Sequence, residues 1–139
     1  MYSRILVPVD LEEPSSWRKA VPTAMAMAKA FDASVTLCTV VPESLAALKA
    51  EWTSVSMRSL LEEARTRLLV LARELGHEDL DIEVRMGSIP GGILSAAESL
   101  AIDLIVLSSH RPEMKDWLLG ANAARVVRHA KCSVMVVRE

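Results

Sequence analysis

The sequence predicts an α/β fold, an open doubly wound sheet of parallel strands with helices on both faces. Three observations carry that expectation. Five short runs rich in branched residues punctuate the chain, segments of helical periodicity separate them, and four of the five runs are nearly continuous apolar blocks. Strands joined through helices run parallel, with right-handed crossovers. A parallel strand covered on both faces has no polar side to show. The economical packing for such a chain is helices layered on either side of one sheet.

The first run is Ile5-Leu6-Val7-Pro8-Val9. A helix should follow, with Ser15 or Ser16 as its cap and with Ala20, Ala24, Met27 and Ala28 allowing close approach to the sheet. Pro22 lacks a backbone donor, so it should kink this helix or delay its start. The second strand is Val35 to Val41. Segment 43–57 has weak periodicity and reads as a mobile excursion or a short extra helix. Leu61, Ala64, Leu68, Leu71 and Leu75 then recur at helical spacing as far as Gly76, a residue suited to a helix end. Asp81 to Met86 alternates polar and apolar residues, which predicts a half-exposed strand near a sheet edge. The third helix should begin around Pro90, well placed in a first turn, and run through Ile93, Ala96, Ala97 and Leu100. Asp103 to Leu107 is the fourth strand. The last helix should span about Asn122 to Ala130, with Val126 and Val127 inward and Arg125 and Arg128 outward, before the closing strand Val134 to Val137.

The 139 residues are read as one domain, 1–139, undivided by any repeat, low-complexity tract or linker. Sixteen Lys and Arg against eighteen Asp and Glu leave a net charge of −2, which removes the electrostatic case for nucleic acid as the main partner. The 51% of hydrophobic residues supports a sizeable core. No apolar run approaches the roughly 20 residues of a membrane helix, and the start MYSRILVPVDLEE lacks a secretory h-region. Two cysteines, Cys38 and Cys132, make no disulfide framework and read as small core residues. A soluble, cytoplasmic protein without membrane insertion is the expectation.

Open parallel sheets bind ligands beyond the carboxyl ends of their strands, where chain order reverses. Here those ends are Pro8-Val9-Asp10, Val40-Val41-Pro42, Met86-Gly87-Ser88 and Leu107-Ser108-Ser109. Asp10 could accept hydrogen bonds from a base or ribose or help to hold a metal; equally, it could cap the turn that carries Glu12 and Glu13. Gly120-Ala121-Asn122 could bring unpaired N–H groups and a helix dipole to a phosphate, or form an ordinary glycine turn with Asn122 as N-cap. His110 and Arg111 open a loop, 108–119, that should reach over the crevice, where an Arg could pair with phosphate oxygens. There is no G-x-x-x-x-G-K-[ST] loop and no G-x-G-x-x-G after the first strand, which argues against P-loop ATPases and dinucleotide dehydrogenases. No catalytic triad order or Cys/His metal spacing stands out.

Ile5-Leu6-Val7-Pro8-Val9-Asp10, Gly87-x-x-Pro90, Asp103-Leu104-Ile105-Val106, and Leu118-Leu119-Gly120 through Arg128-His129-Ala130-x-Cys132-x-Val134-x-Val136-Val137 together resemble the universal stress protein family over essentially the whole chain. Ser109-His110-Arg111-Pro112 and Leu118-Leu119-Gly120-Ala121-Asn122-Ala123 are similar to its F/G-type subgroup. The resemblance implies a five-stranded parallel sheet of order 3-2-1-4-5 with four helices, a Rossmann-like fold of the adenine nucleotide alpha-hydrolase kind. It implies homodimers through the last strand, with tetramers left open. It also implies ATP, with or without Mg2+, as the ligand. Adenine and ribose would lie against Pro8, Val9, Asp10 and Val40. The phosphates would lie along Leu107, Ser108, His110 and Arg111 and at Gly120, Ala121 and Asn122.

The family's loop pattern is Gly, two residues, Gly, nine residues, Gly, then Ser or Thr. In this chain Ser108 and Arg111 replace the first two glycines, eight residues lead to Gly120, and Ala121 stands where the hydroxyl would be. His110, Arg111 and the Asn122 amide are the candidates to compensate. The function implied is an ATP-binding regulatory module of the stress response, with no catalytic residue assigned and little or no hydrolysis, since no general base or arginine finger is evident. The alternative is a nucleotide-free dimeric interaction module of the same fold. An adenylating enzyme ranks lowest, because Leu11-Glu12-Glu13-Pro14 stands where such enzymes carry a glycine- and serine-rich loop.

Overall fold

The structure is a computed structural model that describes residues 1–44, 56–109 and 120–138. Most of the 43–57 segment, together with His110 and Arg111, lies outside the described residues. The elements run β1 (Arg4–Pro8), a 3-10 turn (Pro14–Ser16), α1 (Ala20–Phe31), β2 (Ser34–Pro42), α2 (Ser56–Glu74), β3 (Asp81–Gly87), α3 (Ile89–Ser99), β4 (Leu104–Ser109), α4 (Ala121–His129) and β5 (Ser133–Arg138). The strands form one sheet in the order β3-β2-β1-β4-β5, every pair parallel. The expected α/β class and sheet order are thus observed, with the four expected helices among the described elements. Strand β1 lies between β2 and β4, so chain order reverses on either side of it and a crevice opens at its carboxyl end.

Alternate residues of each central strand point to opposite faces, and here both sets are apolar. On one face Ile5, Val7, Val35, Leu37, Leu104 and Val106 pack against Ala20, Val21, Ala24 and Ala28 of α1 and Leu68, Leu71 and Ala72 of α2. On the other face Leu6, Cys38, Val40, Ile105 and Leu107 meet Ile93, Ala96 and Ala97 of α3 and Ala123 and Val126 of α4. That two-sided covering explains the uninterrupted apolar runs. Each fully buried large side chain, such as Leu6 or Leu68, is worth about 1.5–3 kcal/mol. β3 is half-buried along its length, as its alternation predicts for an edge. β5 forms the other edge, and Val134 to Val137 are half-buried in this chain rather than covered on both faces.

Three local expectations are corrected. Neither Ser15 nor Ser16 caps α1. The helix starts at Ala20 after Lys19, without a side-chain cap, and Ser16 turns inward to the end of β1. Pro22 occupies the third helical position, where a missing N–H removes no bond within the helix. Asn122 is not the N-cap of α4, which begins at Ala121 with Gly120 before it and no capping side chain. Val127 is outward, 44% exposed, whereas Val126 is fully buried. Successive helical positions lie about 100° apart, so a narrow buried stripe takes one and not its neighbour.

Other signals hold. α2 stops at Glu74, two residues before Gly76, whose φ of +79° lets the chain turn while its N–H donates to the Arg73 carbonyl at 2.9 Å. Gly87 closes β3 with φ +135°, a conformation that L side chains rarely adopt. Ser88 then caps α3 by accepting the Gly91 N–H, with Pro90 in the first turn. At the opposite rim of the sheet, the two carboxylate oxygens of Asp103 accept the N–H groups of Ser3 at 2.8 Å and Arg4 at 3.0 Å. This pins the start of β1 to β4. Among the described residues, no helix is long and apolar enough to cross a membrane.

Candidate functional site

A cleft of about 570 Å3 opens at the carboxyl ends of β1, β2 and β4, within the usual range of about 300–1,000 Å3 for small-molecule sites. Pro8, Val9, Asp10, Val40, Leu107, Ser108, Gly120, Ala121 and Asn122 all line it. Residues from three strands and a helix start, far apart in sequence, therefore converge on one cavity.

The floor is built by strand ends locked together. The Val9 N–H donates to the Cys38 carbonyl at 2.7 Å, and the Thr39 hydroxyl donates to the Val9 carbonyl at 3.0 Å. Thr39 is buried, so this bond satisfies a hydroxyl that would otherwise be stranded in an apolar strand. Asp10 follows. Its N–H donates to Ser16 Oγ at 2.8 Å, its carbonyl accepts from that hydroxyl and from the Glu13 N–H, and its Oδ1 accepts the Glu12 N–H at 2.9 Å. The turn role weighed for Asp10 is thus present on Oδ1. Its Oδ2 has no hydrogen bond to a described residue.

One wall comes from α2, which places Leu60, Glu63, Ala64 and Arg67 along the cleft. Arg67 reaches the Glu12 carboxylate at 2.6 Å and the Leu11 carbonyl at 3.4 Å, tying this helix to the loop after β1. The opposite wall comes from α3. Gly92 packs so closely on Val40 that an added Cβ would lie 2.6 Å from Val40 Cγ1. The two walls and the floor hold Val40, one of the expected base contacts, in a fixed position.

The far end is different in chemistry. α4 begins at Ala121 without a side-chain cap, so the first-turn N–H groups keep no intrahelical partner. Gly120 has no described residue within 4 Å of where a Cβ would stand. Its φ of −55° is available to any residue, so backbone conformation is not what glycine supplies here. Ser108 closes this end. It is 8% exposed, and its Oγ has no hydrogen-bond partner among the described residues. A cleft with donors at one end and an acceptor carboxylate with apolar walls at the other suits a ligand that is flat and polar at one end and anionic at the other. Among the described residues, no three His, Cys, Asp or Glu side chains group to hold a metal ion.

The Cys38 thiol, at the base of the cleft, is pushed up from 9.0 to about 12, first by burial, then by the nearby Glu83 carboxylate, with Arg85 opposing. It is an inert thiol, consistent with a core role. Cys132 is also raised, mainly by partial burial.

Sequence reasoning missed several lining residues. Thr39 could have been flagged as the polar residue inside an apolar strand. Ala64 belongs to a helical periodicity that shows a face is buried but not against what, and Leu60 and Arg67 stand outside that periodicity. Ser16 has the hydroxyl of a helix cap, and that hydroxyl serves the strand end instead.

Comparison with known proteins gives a consistent picture. Residues 1–138 match the sequence model of the universal stress protein family. Universal stress protein G of Salmonella typhimurium is 35% identical over 147 residues, covering 99% of this chain and 100% of that protein. Among solved structures, the universal stress protein UspA from Lactobacillus plantarum superposes with a TM-score of 0.71 at 26% identity, covering 99% of this chain and 98% of that one. A universal stress protein in complex with cAMP superposes at 0.64 with 24% identity, covering 99% and 97%.

Proposed function

The chain belongs to the universal stress protein family, and on that premise we propose that it binds an adenine nucleotide, ATP with or without Mg2+, and acts as a regulatory module of the stress response. The reading gives Pro8, Val9 and Val40 the base, Asp10 the base edge or ribose, and the first turn of α4 the phosphates. The observation that carries it is the start of α4 at Gly120, which has no side-chain cap and lines the same cleft as Asp10 and Val40. Unpaired N–H groups and the helix dipole attract phosphate oxygens at such a place. Mg2+ would come with the triphosphate and neutralise part of its charge.

The same reading makes the protein a binder rather than a catalyst. The cleft offers positioning groups, and the described residues that line it include no histidine and no lysine to move a proton or stabilise a leaving phosphate. It also takes the half-buried edge β5 as the pairing surface of a homodimer, since an apolar edge strand left open invites association. Calorimetric titration with ATP, with and without Mg2+, tests the nucleotide reading, and cAMP is included because a protein of the same fold is known in complex with it. Saturable heat supports it. No heat at millimolar nucleotide rejects it and leaves the nucleotide-free interaction module.

A further inference from the structure

The polar face of β3 does not look onto open solvent. Glu83 and Arg85 lie in register with Cys38 and Val40 of β2, on the side of the sheet that α3 covers, and their side chains are only 25% and 27% exposed. Arg85 Nε donates to Glu83 Oε1 at 2.8 Å, Nη1 donates to Ser95 Oγ at 3.2 Å, and Nη2 donates to Ser99 Oγ. The Ser99 hydroxyl in turn donates to the Ala96 carbonyl at 3.4 Å. One guanidinium thus joins the edge strand to neighbouring turns of α3.

Covering an edge strand does not require this arrangement. An ion pair drawn partly out of water adds little net stability, and apolar side chains would fill the space as well. What the guanidinium adds is direction, because its N–H groups are fixed in one planar fork. The core face of α3 lacks direction of its own: Gly92, Ala96 and Ala97 sit there beside Ile93, and small side chains make shallow ridges that set depth and tilt weakly. Yet the depth is tightly defined at one point, where a Cβ added to Gly92 would lie 2.6 Å from Val40 Cγ1. Val40, Ile89 and Ile93 line the cleft, whereas Glu83, Arg85, Ser95 and Ser99 do not. Any effect of the fork on the cleft therefore passes through the seat of α3.

We infer that Arg85 is a positioning residue for ligand binding: its fork on Ser95 and Ser99 sets the depth at which α3 rests on Val40, and with it the width of the cleft between β2 and α3, without touching the ligand. This inference rests on the nucleotide reading proposed above. It gives the outer strand of the sheet a part in binding that its distance from the cleft conceals.

The test titrates wild type, Arg85→Met, the double variant Ser95→Ala/Ser99→Ala and Glu83→Gln with ATP by calorimetry, and follows urea unfolding of wild type and the double variant with and without Gly92→Ala. Methionine keeps the apolar stem of Arg85 and loses the fork. Both serines are exposed on α3, where alanine raises helix propensity, so the double variant keeps the fold and removes the fork's acceptors. Arg85→Met and the double variant should each bind ATP about three- to tenfold more weakly. Glu83→Gln keeps an acceptor for Nε and should stay within about twofold of wild type. Gly92→Ala should lower the urea midpoint of wild type, and lower it less in the double variant, where α3 is free to back away from Val40; a fork that only stabilises the fold would leave the two shifts equal. Unchanged ATP affinity in either Arg85→Met or the double variant overturns the inference and leaves the nucleotide reading standing. Equal Gly92→Ala shifts overturn it as well. A loss in Glu83→Gln as large as in Arg85→Met places the effect in the ion pair and not in the fork, and also overturns it. Failure of the wild type to bind ATP rejects the proposed function, and this inference falls with it.

Discussion

The Ser16 hydroxyl grips both backbone groups of Asp10, accepting its N–H at 2.8 Å and donating to its carbonyl at 3.1 Å. Six residues of loop are thereby folded back onto the end of β1, and the Asp10 carboxylate is fixed at the cleft. A hydroxyl that sequence alone would place at a helix cap braces the cleft instead.

Ser16→Ala should therefore act on both stability and binding. Ser16 is 4% exposed, so the substitution leaves the Asp10 N–H without its partner. The expected loss is about 1–3 kcal/mol, read as a lower urea midpoint at unchanged slope. ATP affinity should fall as Asp10 loses its fixed position, and a variant with wild-type midpoint and affinity would show that other loop bonds suffice.

Gly120→Val should separate binding from folding. A φ of −55° suits any residue, and no described residue lies within 4 Å of the new Cβ. Replacing Gly before a helix start with Val costs no more than about 1 kcal/mol. The branched side chain nevertheless screens the α4 amides, so ATP affinity should drop by about tenfold or more, equivalent to about 1.4 kcal/mol. Unchanged affinity by calorimetry would place the phosphates elsewhere.

Gly92→Ala sets two effects against each other. Alanine inside a helix gains about 1 kcal/mol over glycine. Its Cβ, however, would sit 2.6 Å and 2.7 Å from the two methyls of Val40, and overpacking typically costs about 1–3 kcal/mol. Overpacking should win, giving a net loss of up to about 2 kcal/mol in chemical denaturation together with weaker nucleotide binding as Val40 is displaced. A stabilised variant would mean that α3 can shift away from β2.

Cys38 predicts a weakness in alkali. The unfolded thiol ionises near 9.0 and the folded one holds its proton to about 12, so the native state binds this proton more tightly. Its contribution is fully present below pH 9.0 and is lost as pH rises between those two values, at up to about 1.4 kcal/mol per pH unit. Denaturant midpoints should fall over that window, and less steeply in Cys38→Ala once its own lower starting stability is subtracted. A thiol reagent at neutral pH should modify half-buried Cys132 well before Cys38. Equal rates would show that the sheet opens to solvent at β2.

The strands were legible because covering on both faces leaves a mark that needs no partner to interpret: Ile5 to Val7 and Leu104 to Leu107 are apolar at every position. β3 betrayed its place at an edge by alternating. Gly76, Gly87 and Pro90 marked boundaries through backbone geometry that is local to each residue. What the sequence could not specify was three-dimensional pairing. A serine reads the same whether it caps a helix, as Ser88 does, or braces a strand end, as Ser16 does. Periodicity marked a buried face on α2 without indicating that Ala64 and Arg67 would border the cleft. Val127 was misplaced because adjacent valines look alike until the width of the contact with the sheet is known. Ser108 was visible at the right strand end, but its lack of a partner emerges only when its neighbours are placed around it.

The bridge from Arg67 to Glu12 joins two side chains that are 44% and 77% exposed, at the rim of the cleft. Dissolved ions compete for such a pair. The entrance on that side should loosen in concentrated brine and tighten in dilute buffer. Any occupant would then show an ionic-strength dependence belonging to the doorway, over and above the screening of its own charge.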